Sequence, residues 1–153
     1  MLEPVRFDRI VTSDLSRTRE TAEIIARRQA APVETLTELR EIDAGSAVGK
    51  SFDELEALPE WREGSFTEWT GGESLAEVLE RGLAAVSRIV AESPGRTICV
   101  VGHGGMTRIL LSHFLGVLPR LDPYPGRNTA VSVVVTDGVV HRVERLGDDA
   151  HVV

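Results

Sequence analysis

The sequence predicts an α/β fold: a three-layer sandwich in which helices cover both faces of a mostly parallel sheet, with an antiparallel hairpin at one edge. Three observations support this fold class. Short apolar runs rich in β-branched residues alternate with longer segments of helical periodicity. Two of these runs pass directly into a helix start, as in βα units. Near the end of the chain, the pair Asp137-Gly138 separates two further apolar runs and is typical of a tight hairpin turn.

The composition is that of a globular protein, since 42% of the 153 residues are hydrophobic and 27% are charged. A chain of this length buries a core without disulfides, and we predict a single domain over residues 1–153. The formal net charge of -7 argues against a nucleic-acid partner. Lys50 is the one lysine and the other basic residues are arginines, whose planar fork recognises oxyanions. An anionic small-molecule substrate is therefore compatible with this acidic protein.

Targeting signals and disulfides are not predicted. The first ten residues are charged and contain no apolar core of a signal peptide, and no stretch of about 18 apolar residues follows. We therefore expect a cytoplasmic protein without a membrane partner. The single cysteine, Cys99, lies in an apolar run and is interpreted as a small core residue.

The first predicted βα junction places an arginine at a helix start. A strand is predicted over residues 7–12 and a helix over residues 15–29, with Ser13 or Asp14 as the helix cap. Arg17 falls in the first turn of this helix, where a cation opposes the helix dipole. Binding of an anion at the same helix start would explain Arg17. The alternative is a solvated surface arginine.

A second strand is predicted over residues 33–39, and a glycine-bearing loop with Glu41 and Asp43 follows it. These carboxylates are candidate acid or base groups if the loop folds over the strand-to-helix junctions, and solvated surface groups otherwise. Residues 45–51 are similar to a nucleotide-binding P-loop. The motif needs four residues between its glycines and this segment has three, which argues against a nucleotide site.

Two capping boxes predict the next helices, a short one over residues 51–58 and a long one over residues 74–91. The long helix carries apolar residues at helical spacing, as expected for packing on a sheet. Between the helices, residues 59–72 contain three aromatic side chains that line a substrate mouth or form a satellite hydrophobic cluster: Trp61, Phe66 and Trp69.

The most informative stretch is residues 96–116. Residues 98–101 predict a strand buried on both faces, and residues 106–115 predict a buried helix. His103 lies between them among three glycines that let the backbone turn sharply. Free backbone N–H groups and the positive end of the helix dipole make such a junction suitable for a phosphate. The alternative is that His103 only caps a tight turn.

The carboxyl-terminal part predicts a hairpin with strands over residues 128–136 and 139–146. Its expected buried side chains are Val131, Val133 and Val135. His113 in the predicted central helix and His141 in the second hairpin strand are interpreted as packed or surface residues rather than ligands, and the acidic tail at residues 148–151 has no partner at metal-ligand spacing. We therefore predict no metal and no cofactor.

Residues 12–22 (TSDLSRTRETA), 39–41 (LRE) and 102–105 (GHGG) occur in this order, with GGES at 71–74 between the last two. Together these segments resemble the histidine phosphatase superfamily, the phosphoglycerate mutase-like group. The resemblance covers nearly the whole chain. It implies phosphomonoester hydrolysis through a phosphohistidine, with a small phosphorylated metabolite as substrate. The compact loop between the helices favours a phosphatase over a mutase.

The resemblance also implies roles for individual residues. Arg17 would hold the transferring phosphoryl group. Glu41 would protonate the leaving oxygen and later activate water, as a general acid and base. His103 would donate to the equatorial oxygens of the transition state, where positioned donors are most effective. The backbone N–H of Gly104 would join Arg17 and His103 in the same phosphate-binding cradle.

One family feature is expected but not found. Members of the family begin with a strand ending in Arg-His-Gly, whose histidine accepts the phosphate, and these 153 residues contain no such triplet. We therefore expect the first βα unit of the family fold to be missing and the chain to be inactive alone. A homodimer or a partner strand would then cover the exposed sheet edge. Either Met1 is a misplaced start, or this is a short form that binds phosphate ligands or regulates without catalysis.

Overall fold

The computed structural model describes residues 5–57, 71–119 and 127–152. Strands and helices alternate through the first two ranges, and an antiparallel pair of strands forms the third. Two 3₁₀ turns lie at Thr37–Leu39 and Gly45–Ala47. The other elements are β1 (Arg9–Thr12), α1 (Ser16–Gln29), β2 (Val33–Thr35), α2 (Phe52–Glu56), α3 (Leu75–Glu92), β3 (Ile98–Val101), α4 (Gly104–Phe114), β4 (Val131–Thr136) and β5 (His141–Asp148).

A parallel sheet of three strands, in the order β2-β1-β3, organises the first two ranges. In its register, Val11 of β1 lies opposite Val100 of β3, so the carboxyl ends of the two strands coincide. The Thr12 hydroxyl donates to the carbonyl of Val101 at 3.0 Å, which joins the two ends. The predicted α/β class is confirmed. Residues that follow β1 and β3 therefore begin at the same edge of the sheet.

The helices pack on this sheet through two hydrophobic clusters. One joins β1 to α3 and contains Val11, Leu36, Leu39, Ala85 and Ile89. The other joins α3 to α4 and contains Val78, Met106, Ile109 and Leu110. Both predicted capping boxes are confirmed: the serine at the N-cap and the glutamate three residues later exchange hydrogen bonds at the starts of α2 and α3.

Two details near β1 differ from the prediction. Helix α1 begins at Ser16 with Leu15 at the N-cap and without a side-chain cap, so the predicted cap by Ser13 or Asp14 is wrong. Those two side chains have other partners, described below. Strand β2 is shorter than predicted because the chain turns into a 3₁₀ helix after Leu36, which buries Leu36 and Leu39 in the core.

Strand β3 is more exposed than predicted. Its Val100 side chain is 48% exposed, whereas Val11 on the central strand is 0% exposed. Strand β3 pairs with β1 on one side and, among the described residues, with no strand on the other. The prediction of burial on both faces is therefore wrong: the hydrophobic cluster that covers Val11 with α3 does not include Val100. A dimer or partner strand over this edge stays a prediction.

The predicted hairpin is confirmed, and it forms its own two-stranded sheet. It lies against α4, where the rings of Phe114 and His141 are 4.5 Å apart. The predicted burial of Val133 and Val135 is wrong, since they are 38% and 47% exposed, and Val131 is only partly buried. Register shifts flank Val133 and interrupt the regular alternation of the two faces.

The three aromatic side chains predicted to line a substrate mouth or form a satellite cluster, Trp61, Phe66 and Trp69, lie outside the described residues. Within the three described ranges, no helix has both the length and the apolar character needed to cross a membrane.

Candidate functional site

Two predicted site residues, 86 positions apart, meet at the carboxyl end of the sheet. His103 follows β3 and is the N-cap residue of α4, while Arg17 lies in the first turn of α1. The Arg17 Nε atom donates a hydrogen bond to His103 Nδ1 at 3.2 Å. The histidine is only 6% exposed, whereas the arginine is exposed. The imidazole is therefore buried beneath a guanidinium that solvent reaches.

The other nitrogen of the His103 ring contacts a buried hydroxyl. Ser13 Oγ lies 2.7 Å from His103 Nε2 and 2.7 Å from Thr18 Oγ1. Thr18 in turn donates to the carbonyl of Leu15 at 3.0 Å. Sequence reasoning treated Ser13 only as a helix cap and missed Thr18. The sequence signal that could have indicated this contact is the pair of hydroxyl residues, Ser13 and Thr18, on either side of the helix start that carries Arg17.

The surroundings of His103 favour its neutral form. Burial of the ring, and then the nearby Arg17 cation, lower the pKa of His103 below its ordinary value of 6.5. The negative charges of Glu41 and Asp14 oppose this shift, and the positive charge of Arg81 adds to it. Burial and the Arg17 cation therefore both disfavour the charged imidazolium in the absence of a ligand.

Glu41 reaches the same junction from the loop after β2. Its Oε1 accepts hydrogen bonds from the backbone N–H groups of Ile42 and Met106, each at 3.0 Å, and its Oε2 accepts one from Gly105 at 3.1 Å. The helix start that the sequence predicts for a phosphate thus binds a carboxylate of the chain itself. The N–H groups of Gly105 and Met106 are thus taken by Glu41, whereas binding of an external oxyanion by Arg17 and His103 stays a prediction.

Gly104 differs from its neighbour in the space around it. A Cβ atom at Gly104 would meet no atom within 4 Å, so this position is open. A Cβ atom at Gly105 would lie 2.6 Å from Glu41 Oε1 and 2.6 Å from Ile42 Cδ1. The glycine at 105 therefore permits the close approach of Glu41. The predicted role of the Gly104 N–H in binding phosphate stays a prediction.

Arg81 on α3 holds the Glu41 segment in place, and sequence reasoning missed it. Its guanidinium uses all five N–H donors. Nε and Nη2 bind the Glu73 carboxylate at 2.6 and 2.8 Å. Nη1 donates to the carbonyls of Glu38 and Arg40 at 2.7 and 2.8 Å, and Nη2 also donates to the carbonyl of Glu41 at 3.1 Å. The backbone before and at Glu41 is thereby fixed to α3.

Glu73 and Asp43 continue this connection. The Asp43 N–H donates to the Glu73 carboxylate and the Glu73 N–H donates to the Asp43 carbonyl, both at 2.9 Å. The hydrogen bonds from Arg81 lower the pKa of Glu73. The Asp43 carboxylate, a candidate acid or base in the sequence, accepts a hydrogen bond from the Gly45 N–H at 2.9 Å. Its described contacts therefore belong to the loop.

A second arginine ties the loop to the start of α1. Arg40 binds both carboxylate oxygens of Asp14, with its Nε at 2.7 Å from Oδ1. These hydrogen bonds lower the pKa of Asp14. A bidentate pair of this kind fixes orientation as well as distance. The loop that carries Glu41 is thus attached both to α3 and to the residues that precede Arg17.

Other predicted or excluded ligands lie away from this junction. The rings of His113 and His141 lie 6.1 Å apart at the contact between α4 and the hairpin. The segment considered as a P-loop forms the second 3₁₀ turn, Gly45–Ala47. In the part of the chain that the structure describes, no three His, Cys, Asp or Glu side chains cluster closely enough to hold a metal ion.

Comparison with known families identifies one match over most of the chain. A family model described as the histidine phosphatase superfamily (branch 1) matches residues 1–149. A probable phosphoglycerate mutase, GpmB, from Yersinia enterocolitica is 33% identical over 156 residues, which cover 93% of this chain and 72% of that protein. Glucosyl-3-phosphoglycerate phosphatase from Mycolicibacterium vanbaalenii is 32% identical over 120 residues, 71% of this chain and 53% of that protein.

Solved structures agree with the sequence comparisons. YhfR from Bacillus stearothermophilus has a TM-score of 0.88 and 32% identity, and the match covers 98% of this chain and 78% of that one. A mycobacterial glucosyl-3-phosphoglycerate phosphatase in complex with inorganic phosphate has a TM-score of 0.81 and 26% identity, covering 95% of this chain and 79% of that one. The chain therefore spans between about half and four fifths of the length of these relatives.

Proposed function

The chain belongs to the histidine phosphatase superfamily, and from that premise we propose that its site binds the phosphoryl group of a small phosphorylated metabolite for phosphatase chemistry. The observation that carries this proposal is the 3.2 Å contact between Arg17 Nε and His103 Nδ1. It brings an arginine and an imidazole from distant parts of the sequence to one point at the carboxyl edge of the sheet. Open sheets of this type bind ligands at that edge.

Each residue has a chemical task in this proposal. Arg17 offers a solvent-accessible planar fork, which suits two oxygens of a phosphoryl group. His103, once protonated at Nδ1, donates to a further oxygen and stabilises the charge that develops in the transition state. Glu41, whose carboxylate accepts hydrogen bonds at the first turn of the helix that His103 begins, would act as general acid and base.

The family resemblance assigns the nucleophile to the histidine of an Arg-His-Gly segment. These 153 residues contain no such triplet. Among their other histidines, His113 and His141 pack together beside the hairpin, and His151 lies 3.2 Å from the Thr129 hydroxyl. We therefore propose that these 153 residues alone bind a phosphoryl group and do not turn it over, as a phosphate-ligand-binding or regulatory module would.

The relatives include both phosphatases and mutases, and they support chemistry on a phosphoryl group. Both a sequence relative and a solved structure with a TM-score of 0.81 are named as glucosyl-3-phosphoglycerate phosphatases. A probable phosphoglycerate mutase is similarly close in sequence. Both kinds of relative act on phosphorylated small molecules, as their names state, which supports the same class of substrate here.

The test measures binding and turnover on the same preparation. Calorimetric titration of the purified chain with inorganic phosphate and with vanadate is expected to show saturable binding, and p-nitrophenyl phosphate is expected to remain intact. The His103→Ala variant is the control and should lose the binding. Turnover that disappears in this variant would support the phosphatase site and overturn the proposal that the chain alone is inactive. Absence of phosphate and vanadate binding would overturn both.

A further inference from the structure

The hydrogen bonds around His103 have a forced direction. An arginine Nε always donates, so His103 Nδ1 accepts from Arg17 and carries no proton. A neutral imidazole has one N–H group, which must then be on Nε2. Nε2 donates to Ser13 Oγ at 2.7 Å. The tautomer of the buried ring is therefore determined by its two partners.

The donor-to-acceptor order continues from the His103 ring to Ser13 and then to Thr18. Ser13 Oγ accepts from His103 Nε2 and also from the Leu15 N–H at 3.3 Å, so its own proton points to Thr18 Oγ1 at 2.7 Å. The Thr18 hydroxyl donates to the Leu15 carbonyl at 3.0 Å. A carbonyl oxygen can only accept, so the chain of hydrogen bonds ends at the Leu15 carbonyl. Ser13 is 0% exposed and Thr18 is 5% exposed, which keeps water from competing.

We propose that Ser13 and Thr18 are positioning residues that hold His103 as its Nε2–H tautomer, so that an oxyanion binds beside Arg17 and His103 only with uptake of one proton at Nδ1. The anion takes the place of the guanidinium Nε as the partner of Nδ1. Two acceptors cannot form a hydrogen bond, and a proton from solvent therefore forms the new Nδ1–H bond. The inference rests on the proposed function, because it concerns ligand binding at the same site.

The charges around the ring agree with this coupling. Arg17 on α1 and Arg81 on α3 face the ring as cations, while Asp14 after β1 and Glu41 after β2 face it as carboxylates. Burial of the ring and the Arg17 cation lower the pKa of His103 in the free protein. A dianion in contact with the ring adds negative charge at close range and reverses this preference. Binding and protonation are therefore linked.

Sulfate is a suitable probe because it stays a dianion throughout the pH range in which histidine titrates. Calorimetry in two buffers with different heats of ionisation counts the protons taken up. At pH 7.5 we expect about one proton per sulfate bound, and a Kd that rises up to about tenfold per pH unit above the pKa of the free histidine. Binding without proton uptake would overturn the inference and leave the proposed function in place.

Variants separate a proton-directing role from a merely structural one. Ser13→Ala removes the acceptor for Nε2, so the neutral Nδ1–H tautomer becomes accessible, and the proton count and the pH dependence should both fall. Thr18→Val should act in the same direction and Thr18→Ser should restore the wild-type behaviour. Thr21→Val is the matched control, because its hydroxyl donates to the Arg17 carbonyl on the exposed side of the same helix. Weaker binding in Ser13→Ala at every pH with an unchanged proton count would overturn the inference.

The tautomer can be measured without any ligand. Nitrogen-15 NMR of the wild-type protein at pH 7.5 is expected to show the His103 proton on Nε2. A proton on Nδ1 in the free protein would overturn the inference regardless of how the variants fold. Failure of sulfate and phosphate to bind, with the expected tautomer present, would instead overturn the proposed function and with it the coupling.

Discussion

The Glu41 carboxylate lies so close to Gly105 that a residue with a Cβ atom at position 105 would clash with it. A Cβ atom on Gly105 would lie 2.6 Å from Glu41 Oε1, and the Gly105 N–H donates to Glu41 Oε2 at 3.1 Å. The Glu41 carboxylate thus accepts N–H groups from the first turn of α4, the helix that begins after His103. This contact makes position 105 a sensitive probe of the site.

Gly105→Ala should displace the Glu41 carboxylate or shift the start of α4. Because a shift of the carboxylate would cost its hydrogen bonds to the Gly105 and Met106 N–H groups, we expect the free energy of unfolding to fall by about 1–3 kcal/mol. Urea denaturation measures the change. Gly104→Ala is the control for stability, since its Cβ would meet nothing within 4 Å and alanine is the better helix former. Equal stability of both variants would contradict the close approach.

Arg81→Lys tests whether the guanidinium fork holds the Glu41 segment. A lysine has three N–H donors on one nitrogen and cannot reach the Glu73 carboxylate and three carbonyls together. We expect the free energy of unfolding to fall by about 2 kcal/mol, because partly buried acceptors lose their donors. Vanadate affinity should also fall, since Glu41 is no longer held beside the site.

The matched control for this substitution is Arg88→Lys, two turns later on the same helix. Arg88 is 49% exposed and pairs with Glu92 and Glu34 at the surface. Exposed ion pairs contribute little to stability, so its unfolding curve should coincide with that of the wild type. A similar loss in both variants would show that Arg81 acts as an ordinary surface arginine.

The difference between these two arginines shows what the sequence could not predict. Strand and helix starts follow from local patterns, so the junctions that carry Arg17 and His103 were predicted correctly. The partners of Arg81 are carbonyls about 40 positions away, and carbonyls have no residue-specific signature. Ser13 was misread for a related reason: a hydroxyl at a strand end serves equally as a helix cap or as a partner for a distant ring.

Exposure was the other quantity that local patterns could not predict. The composition of β3 is that of a buried strand, yet Val100 is 48% exposed because burial depends on what packs over the sheet, and the cluster over Val11 does not include Val100. In the hairpin, alternation identifies two faces but does not say which one meets α4. Val133 and Val135, expected to be buried, are 38% and 47% exposed. Tertiary contacts, rather than propensity, decide both cases.

Glu73 should make stability depend on pH in the acid range. The hydrogen bonds from Arg81 lower the folded-state pKa of Glu73 below its ordinary value of 4.5. A lowered pKa contributes stability above the unfolded-state pKa, and this contribution is lost as the pH falls through the folded-state pKa. We therefore expect Glu73→Gln to be less stable than the wild type at pH 7 and the difference to shrink below about pH 4.5. Thermal unfolding at a series of pH values measures it, and a difference that stays constant with pH would contradict the linkage.

Arg17→Ala should separate ligand binding from stability. The guanidinium is exposed, so water can replace it as the donor to His103 Nδ1, and its loss should lower the free energy of unfolding by less than the ~1–3 kcal/mol of an unsatisfied buried acceptor. A hydrogen bond to a charged group contributes about 1.5–3 kcal/mol, and vanadate affinity should therefore fall by about ten- to a hundredfold. Arg17→Lys should recover only part of this affinity, because an ammonium group keeps the charge and loses the planar fork.

The control is Arg19→Ala. Arg19 is an exposed arginine on the same helix, and its variant should bind vanadate like the wild type. Equal affinity in the Arg17 and Arg19 variants would mean that the anion does not lie between Arg17 and His103.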